Sequence, residues 1–207
     1  MPMHSVNPVI PGGPFPPSSE RLLEGRKSLC RDPIPETPFG VIADQLTKVL
    51  REAFEGPPGP WSYFTDRFPE AGVFGTIGGL SAAQASRPAG ARQTTIAGHV
   101  QHLCFSLALS TRWIRGELTA RDRNPGWTLR GVDETGWKAL QATLRREYET
   151  LCVTIGTQPT WGEEQLGGAV GAIAHTAYHL GALRQRLLLE GTRSRSRRFR
   201  DALESSG

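Results

Sequence analysis

A chain of 207 residues, 38% of them hydrophobic, has the size of one domain with room for a proper core. No run approaches the length of a membrane span, and the first thirty residues lack a signal peptide's apolar centre, so a cytoplasmic protein without membrane attachment is expected. The formal charge of +4 excludes less than it suggests: Arg193, Arg195, Arg197, Arg198 and Arg200 share one short acid-free stretch, and taking those five from +4 leaves −1 for the rest, so nucleic acid is not an expected partner.

Residues 1–38 hold nine of the sixteen prolines and few aliphatic side chains, which predicts an extended leader. From Phe39 to Phe54 the residues Val41, Ile42, Leu46, Val49, Leu50 and Ala53 recur at helical spacing and predict a first helix, stopped by Gly56-Pro57-Pro58-Gly59-Pro60. The connection onward to Gln93 is rich in Gly and Pro and carries Trp61, Tyr63, Phe64, Phe68 and Phe74. Short helical turns are expected at 61–68 and 81–85, with the aromatic residues either capping the mouth of a bundle or plugging one end of its core.

A second helix is expected from about Thr95 to Leu118, with Thr94 or Thr95 as N-cap. It has two apolar stripes: Ile96, Val100, Leu103, Leu107 and Ile114 on one side, Phe105, Leu109 and Trp113 on the other, so it reads as a central or dimer-facing element. A polar link containing Asn124-Pro125-Gly126 and Gly131 leads to a third helix, Asp133 to Ile155, with Asp133 as N-cap and Trp137, Leu140, Leu144, Tyr148, Leu151 and Ile155 as its buried line. A fourth helix runs from about Glu163 to Gly191, and an Arg/Ser-rich flexible tail, 192–207, follows. The fold class expected is all-α: a four-helix bundle over 39–191 with a long connection between its first two helices. Three cysteines, Cys30, Cys104 and Cys152, without a Cys-x-x-Cys pair, speak against disulfides or a cysteine zinc site, and Cys104 and Cys152 read as small core residues.

The chemistry concentrates in the histidines. His175 and His179 are four residues apart on the fourth helix, so both imidazoles can reach one point beside it, the spacing two metal ligands need. A catalytic metal commonly takes three protein ligands and keeps a position open. With His4 in the leader, the third candidate is His99 or His102, and helical position leaves both open: His99 is nearer the first apolar stripe, His102 on the flank between the two. In an up-down-up-down bundle the second and fourth helices run parallel, and with starts near Thr95 and Gly167 His102 and His175 would lie at similar height.

The order of these features resembles the DinB/YfiT-like superfamily of metal-binding four-helix bundles over roughly 39–190. The residues that carry the resemblance are Gly79-Leu80-Ser81-Ala82-Ala83-Gln84-Ala85-Ser86-Arg87-Pro88, the Ile96-Ala97-x-His99-Val100-x-His102-Leu103 opening of the second helix, and His175-x3-His179-x-Gly181. The resemblance implies His102, His175 and His179 as a histidine triad, a divalent metal, a homodimer held by helix faces, and transfer or isomerisation chemistry with a small thiol such as mycothiol, bacillithiol or glutathione. The family often has Gln after the Gly, whereas this chain has Ala182.

Three neutral imidazoles suit Zn²⁺, Ni²⁺ or Fe²⁺ and leave room for water or a small-molecule substrate. The function expected is a metal-dependent enzyme, a thiol S-transferase or isomerase, or a hydrolase; the alternative is a non-catalytic, stress-related bundle with a structural metal. The chain has no His-Glu-x-x-His, so the general base of zinc proteases is missing and no catalytic residue is assigned. His99 is either a partner behind a ligand or a core histidine on a carbonyl. Arg184 and Arg186 are candidates to meet a carboxylate of a thiol cofactor.

Overall fold

The computed structural model describes residues 39–88, 94–117 and 127–204, with side chains described from 40 to 189. The leader, the Asn124-Pro125-Gly126 part of the link, and the five tail arginine side chains lie outside the described residues. Those that are described contain only helices: α1 (Phe39–Glu55), α2 (Val73–Gly78), α3 (Ala82–Ala85), α4 (Ile96–Ile114), α5 (Glu134–Gly156) and α6 (Glu163–Glu204). None is long and apolar enough to cross a membrane.

Local chemistry sets most of the boundaries. Thr95, rather than Thr94, caps α4 by accepting the amide of Gly98 at 3.0 Å, and Asp133 caps α5 through the amide of Gly136 at 2.7 Å. Ser81 and Gln84 form a reciprocal capping box on α3, where a short helical turn was expected. The other expected turn, at 61–68, is not helical; α2 forms instead at Val73–Gly78. The backbone of α6 does not stop at Gly191 but continues to Glu204. A single interior glycine costs a helix about 1 kcal/mol, which does not end it when helix formers stand on both sides.

The core is built from the expected lines. Ile96, Val100, Leu103, Leu107 and Ile114 of α4 are buried, as are Trp137, Leu144, Tyr148, Leu151 and Ile155 of α5, with Leu140 partly buried beside them. On α1 the buried side is Ala43, Leu50, Ala53 and Phe54, while Val41 is exposed. Phe74 packs with Phe54 and Tyr148 in the core, whereas Trp61, Tyr63, Phe64 and Phe68 are exposed and do not plug it. Cys104 is buried and Cys152 partly so, both as free thiols. Burial pushes the Cys104 thiol up to about 12 and that of Cys152 upward as well, so neither is a nucleophile near neutral pH.

The four long helices pack in a ring, α1 and α4 each against both α5 and α6. Their directions differ from the up-down-up-down expectation. Arg186 of α6 meets the carbonyl of Thr94 just before α4, His179 meets His99, His175 meets His102, and Gly168 lies beside Ile114. Helices α4 and α6 are therefore antiparallel. Cys104 lies by the carbonyl of Leu140 and Arg115 reaches Thr154, so α4 and α5 are parallel, while Tyr148 bonding Glu55 places the start of neither but the end of α1 against the middle of α5. The reason lies in the link after α4, which is long enough to return the chain to that helix's N-terminal end. Its last part, 127–132, lies along the opening of α4: Gln101 accepts the amide of Leu129 at 2.9 Å and Ser86 accepts that of Val132 at 2.8 Å. Gly98 permits this approach, since a Cβ there would stand 2.8 Å from Thr94 Cγ2 and 3.1 Å from the Leu129 carbonyl oxygen.

Candidate metal centre

Antiparallel register, not equal height on parallel helices, brings the histidines together. His102 faces α6 three residues after His99 on α4, and His175 and His179, four residues apart on α6, face back, so the two pairs oppose each other. His102 Nε2 is 3.2 Å from His175 Nε2, and His179 Nε2 is 2.8 Å from the same atom. The ligand-capable atoms of His102, His175 and His179 all lie within 4.8 Å of one another, a group that could hold one metal ion. His179 is buried; His102 and His175 are half-buried.

The choice that helical position left open is resolved by what stands behind each ring. His99 is not at the centre of the group: its Nδ1 is 2.9 Å from Nδ1 of His179. Burial, reinforced by Arg186 and His102, holds His99 down at about 4, so at neutral pH it is uncharged and can accept the Nδ1 hydrogen of His179. Ser106 Oγ lies 2.7 Å from Nδ1 of His175. With Nδ1 protonated in both rings, the Nε2 lone pairs of His175 and His179 face the shared point, the tautomer a metal ligand needs. Burial, then His175, His99 and His102, lowers His179 to about 3, and burial followed by His102 lowers His175. Rings that resist protonation keep their lone pairs available.

Two residues of the site escaped the sequence reading. Trp127, from the link, stacks on His102 at 4.2 Å between centroids and 18° between planes, and its edge meets His99 at 5.1 Å. A lone aromatic residue after Pro-Gly in an otherwise polar link was the available signal. Ser106 stands one turn after His102 on a helix with few polar residues, which also marks it. By contrast, Arg184 and Arg186 are engaged elsewhere: Arg184 bonds Asp66 at 2.7 Å and the Ala71 carbonyl at 2.6 Å, and Arg186 donates to the carbonyls of Arg87 and Thr94. They tie α6 to the long connection and the start of α4.

Beside the triad an open cavity of about 890 Å³ runs between α4 and α6. Its α4 wall is the second apolar stripe, Phe105, Leu109 and Trp113, and its α6 wall is Gly167, Gly168 and Gly171. His102, Ser106 and His175 close one end and Glu163 and Glu164 stand at the other.

Compared with known proteins, the chain matches no protein-family model, no curated protein and no solved structure.

Proposed function

We propose that this protein is a DinB/YfiT-like four-helix bundle that holds a divalent cation on His102, His175 and His179 and acts on a small molecule by thiol transfer, isomerisation or hydrolysis. The observation that carries the reading is the convergence of three imidazoles, two of them with their far nitrogens held by His99 and Ser106. The donor set fits Zn²⁺, Ni²⁺ or Fe²⁺, because neutral imidazole suits all three. Such a cation would act as a Lewis acid that lowers the pKa of a thiol or water reaching it.

The residues of the chain supply the rest. His99 and Ser106 hold the rings in one tautomer and orientation, and Trp127 covers the face of His102. The set contains imidazoles alone, without a carboxylate, and Glu163 and Glu164 are three turns of α6 away from His175, about 16 Å at a rise of about 1.5 Å per residue. Among the described residues no carboxylate joins the triad, so a proton released from a thiol or water there would pass to solvent in the groove or to the substrate itself. Three ligands beside an open cavity favour a reactive site over a structural one, since structural zinc is closed by a fourth protein ligand.

Metal analysis of the desalted protein tests the first half of the reading, with about one equivalent expected. A panel of small thiols with electrophiles, and of esters and amides, tests the second. Stoichiometric metal that stabilises the fold, with no turnover in any of these reactions, would turn the reading to a structural metal.

A further inference from the structure

We infer that the groove beside the triad selects an elongated ligand with an apolar body and a cationic end, and disfavours anions. This rests on the proposed site only in placing the ligand's reacting end at the histidines. The groove's own properties are independent of any metal.

The first observation is the origin of the space. Three glycines on one face of a helix usually let a neighbouring helix approach closely, in which case an added Cβ would collide. Here a Cβ on Gly167 or Gly171 meets nothing within 4 Å, and one on Gly168 finds only ordinary contacts, Ile114 at 3.6 Å and Trp113 at 3.9 Å. The glycines are not there to let α4 in; they keep a channel open opposite Phe105, Leu109 and Trp113. Its volume, about 890 Å³, is that of a pocket for a small organic molecule. His102 and Trp113 are three turns apart on α4, so the channel is about 16 Å long at a rise of about 1.5 Å per residue.

The second observation is charge. Among the described residues, the ionic side chains along the channel are Glu163 and Glu164, at the end away from the histidines, and no Lys or Arg lines it. Both acids are in the first turn of α6. An apolar chain lying on the aromatic stripe with an ammonium between these carboxylates matches both the apolar wall and the acidic end of the lining. A tripeptide thiol with two carboxylates would place an anion either on apolar side chains or against Glu163 and Glu164. The channel thus fits the electrophile or ester of the proposed reaction, not an anionic thiol.

Isothermal titration of zinc-free protein with decylamine and with decanoate tests the selection, and a separate zinc titration tests the triad. Decylamine should bind at least about tenfold more tightly than decanoate at low salt, because opposite charges attract and like charges repel at the same spot. The double variant Glu163→Gln/Glu164→Gln should bring the two affinities together. Gly171→Phe fills the channel and should abolish decylamine binding; Gly167→Leu serves the same purpose if Gly171→Phe fails to fold. Equal affinities, a preference for decanoate, or decylamine binding undisturbed in a folded channel-filling variant would overturn the inference. So would a dimer that dissociates on Gly171→Phe, since a second copy would then occupy the channel. Loss of zinc binding with the amine preference intact would instead remove only the metal reading.

Discussion

Two buried polar clusters in this protein are built on opposite plans. Glu52 of α1 is 1% exposed, and its carboxylate accepts five hydrogen bonds, from the amides of Tyr63, Phe64 and Thr65 and the hydroxyls of Ser62 and Thr65, at 2.7 to 2.9 Å. Burial works to raise its pKa, but the three amides and the Ser62 hydroxyl outweigh it and hold the group at about 2. At the triad, the ligand-capable atoms of three imidazoles lie within 4.8 Å of one another, and a cavity opens beside them. A saturated cluster fixes a loop; three converging imidazoles could hold a metal ion. Burial alone would not have separated the two cases, because His179 and Glu52 are equally buried.

The sharpest way to break that comparison is to remove one imidazole. His175→Ala takes away the ring that bonds both of the others, so bound zinc should fall from about one equivalent to near zero while the helical content is unchanged. Mass-spectrometric metal analysis and circular dichroism check the two halves. A variant that still retains a full equivalent after desalting would place the metal elsewhere.

At the saturated cluster the cost should appear in stability. Glu52→Ala leaves three amides of the loop without their acceptor and should lower unfolding free energy by about 3 kcal/mol, measured in urea. The pH dependence has a definite sign. The folded pKa of about 2 lies below the ordinary 4.5, so the contribution is fully present above pH 4.5 and is lost as pH falls toward 2. A shift of this size corresponds to about 3 kcal/mol. Glu52→Gln should flatten that part of the acid limb, and an unchanged acid limb would show that the loop bonds add nothing.

Smaller effects belong to the residues behind the ligands. Ser106→Ala and His99→Phe should each weaken zinc binding by about 10- to 100-fold without removing a ligand, as loss of an orienting hydrogen bond does. Competition against a chromogenic chelator measures this. If both variants bind zinc as tightly as the parent chain, the Nδ1 contacts do not orient the rings.

How much of this could be read in advance follows from what is local. The buried lines of α4 and α5 and the caps at Thr95 and Asp133 depend on residues within a turn or two of one another, and they came through intact. The pairing of His175 with His179 is equally local. Helix direction is not: it depends on where the link after α4 returns, and nothing in the spacing of apolar residues records that path. For the same reason helical position could not choose between His99 and His102, since both face α6 and only the register of the opposing helix assigns one to the centre and the other behind it. Glu52 was invisible because a single acid on an amphipathic helix gives no sign that a loop ten residues later will close over it.

The smallest expected effect concerns the part of the site that the link contributes. Trp127 is partly buried and meets His102 and His179 of the triad, and His99 behind them, through ring faces and edges, so it does not hold a tautomer. Its stack on His102 limits the rotation of that ring, the one member of the triad supplied by α4. Trp127→Leu keeps an apolar cover but loses the flat surface, and should change global stability by no more than about 1 kcal/mol, the worth of an aromatic pair beyond its area. Zinc affinity should drop by less than in Ser106→Ala, with faster release of the metal in stopped-flow chelation. A loss as large as that of His175→Ala would mean that the link, and not the register of α4 and α6, assembles the triad.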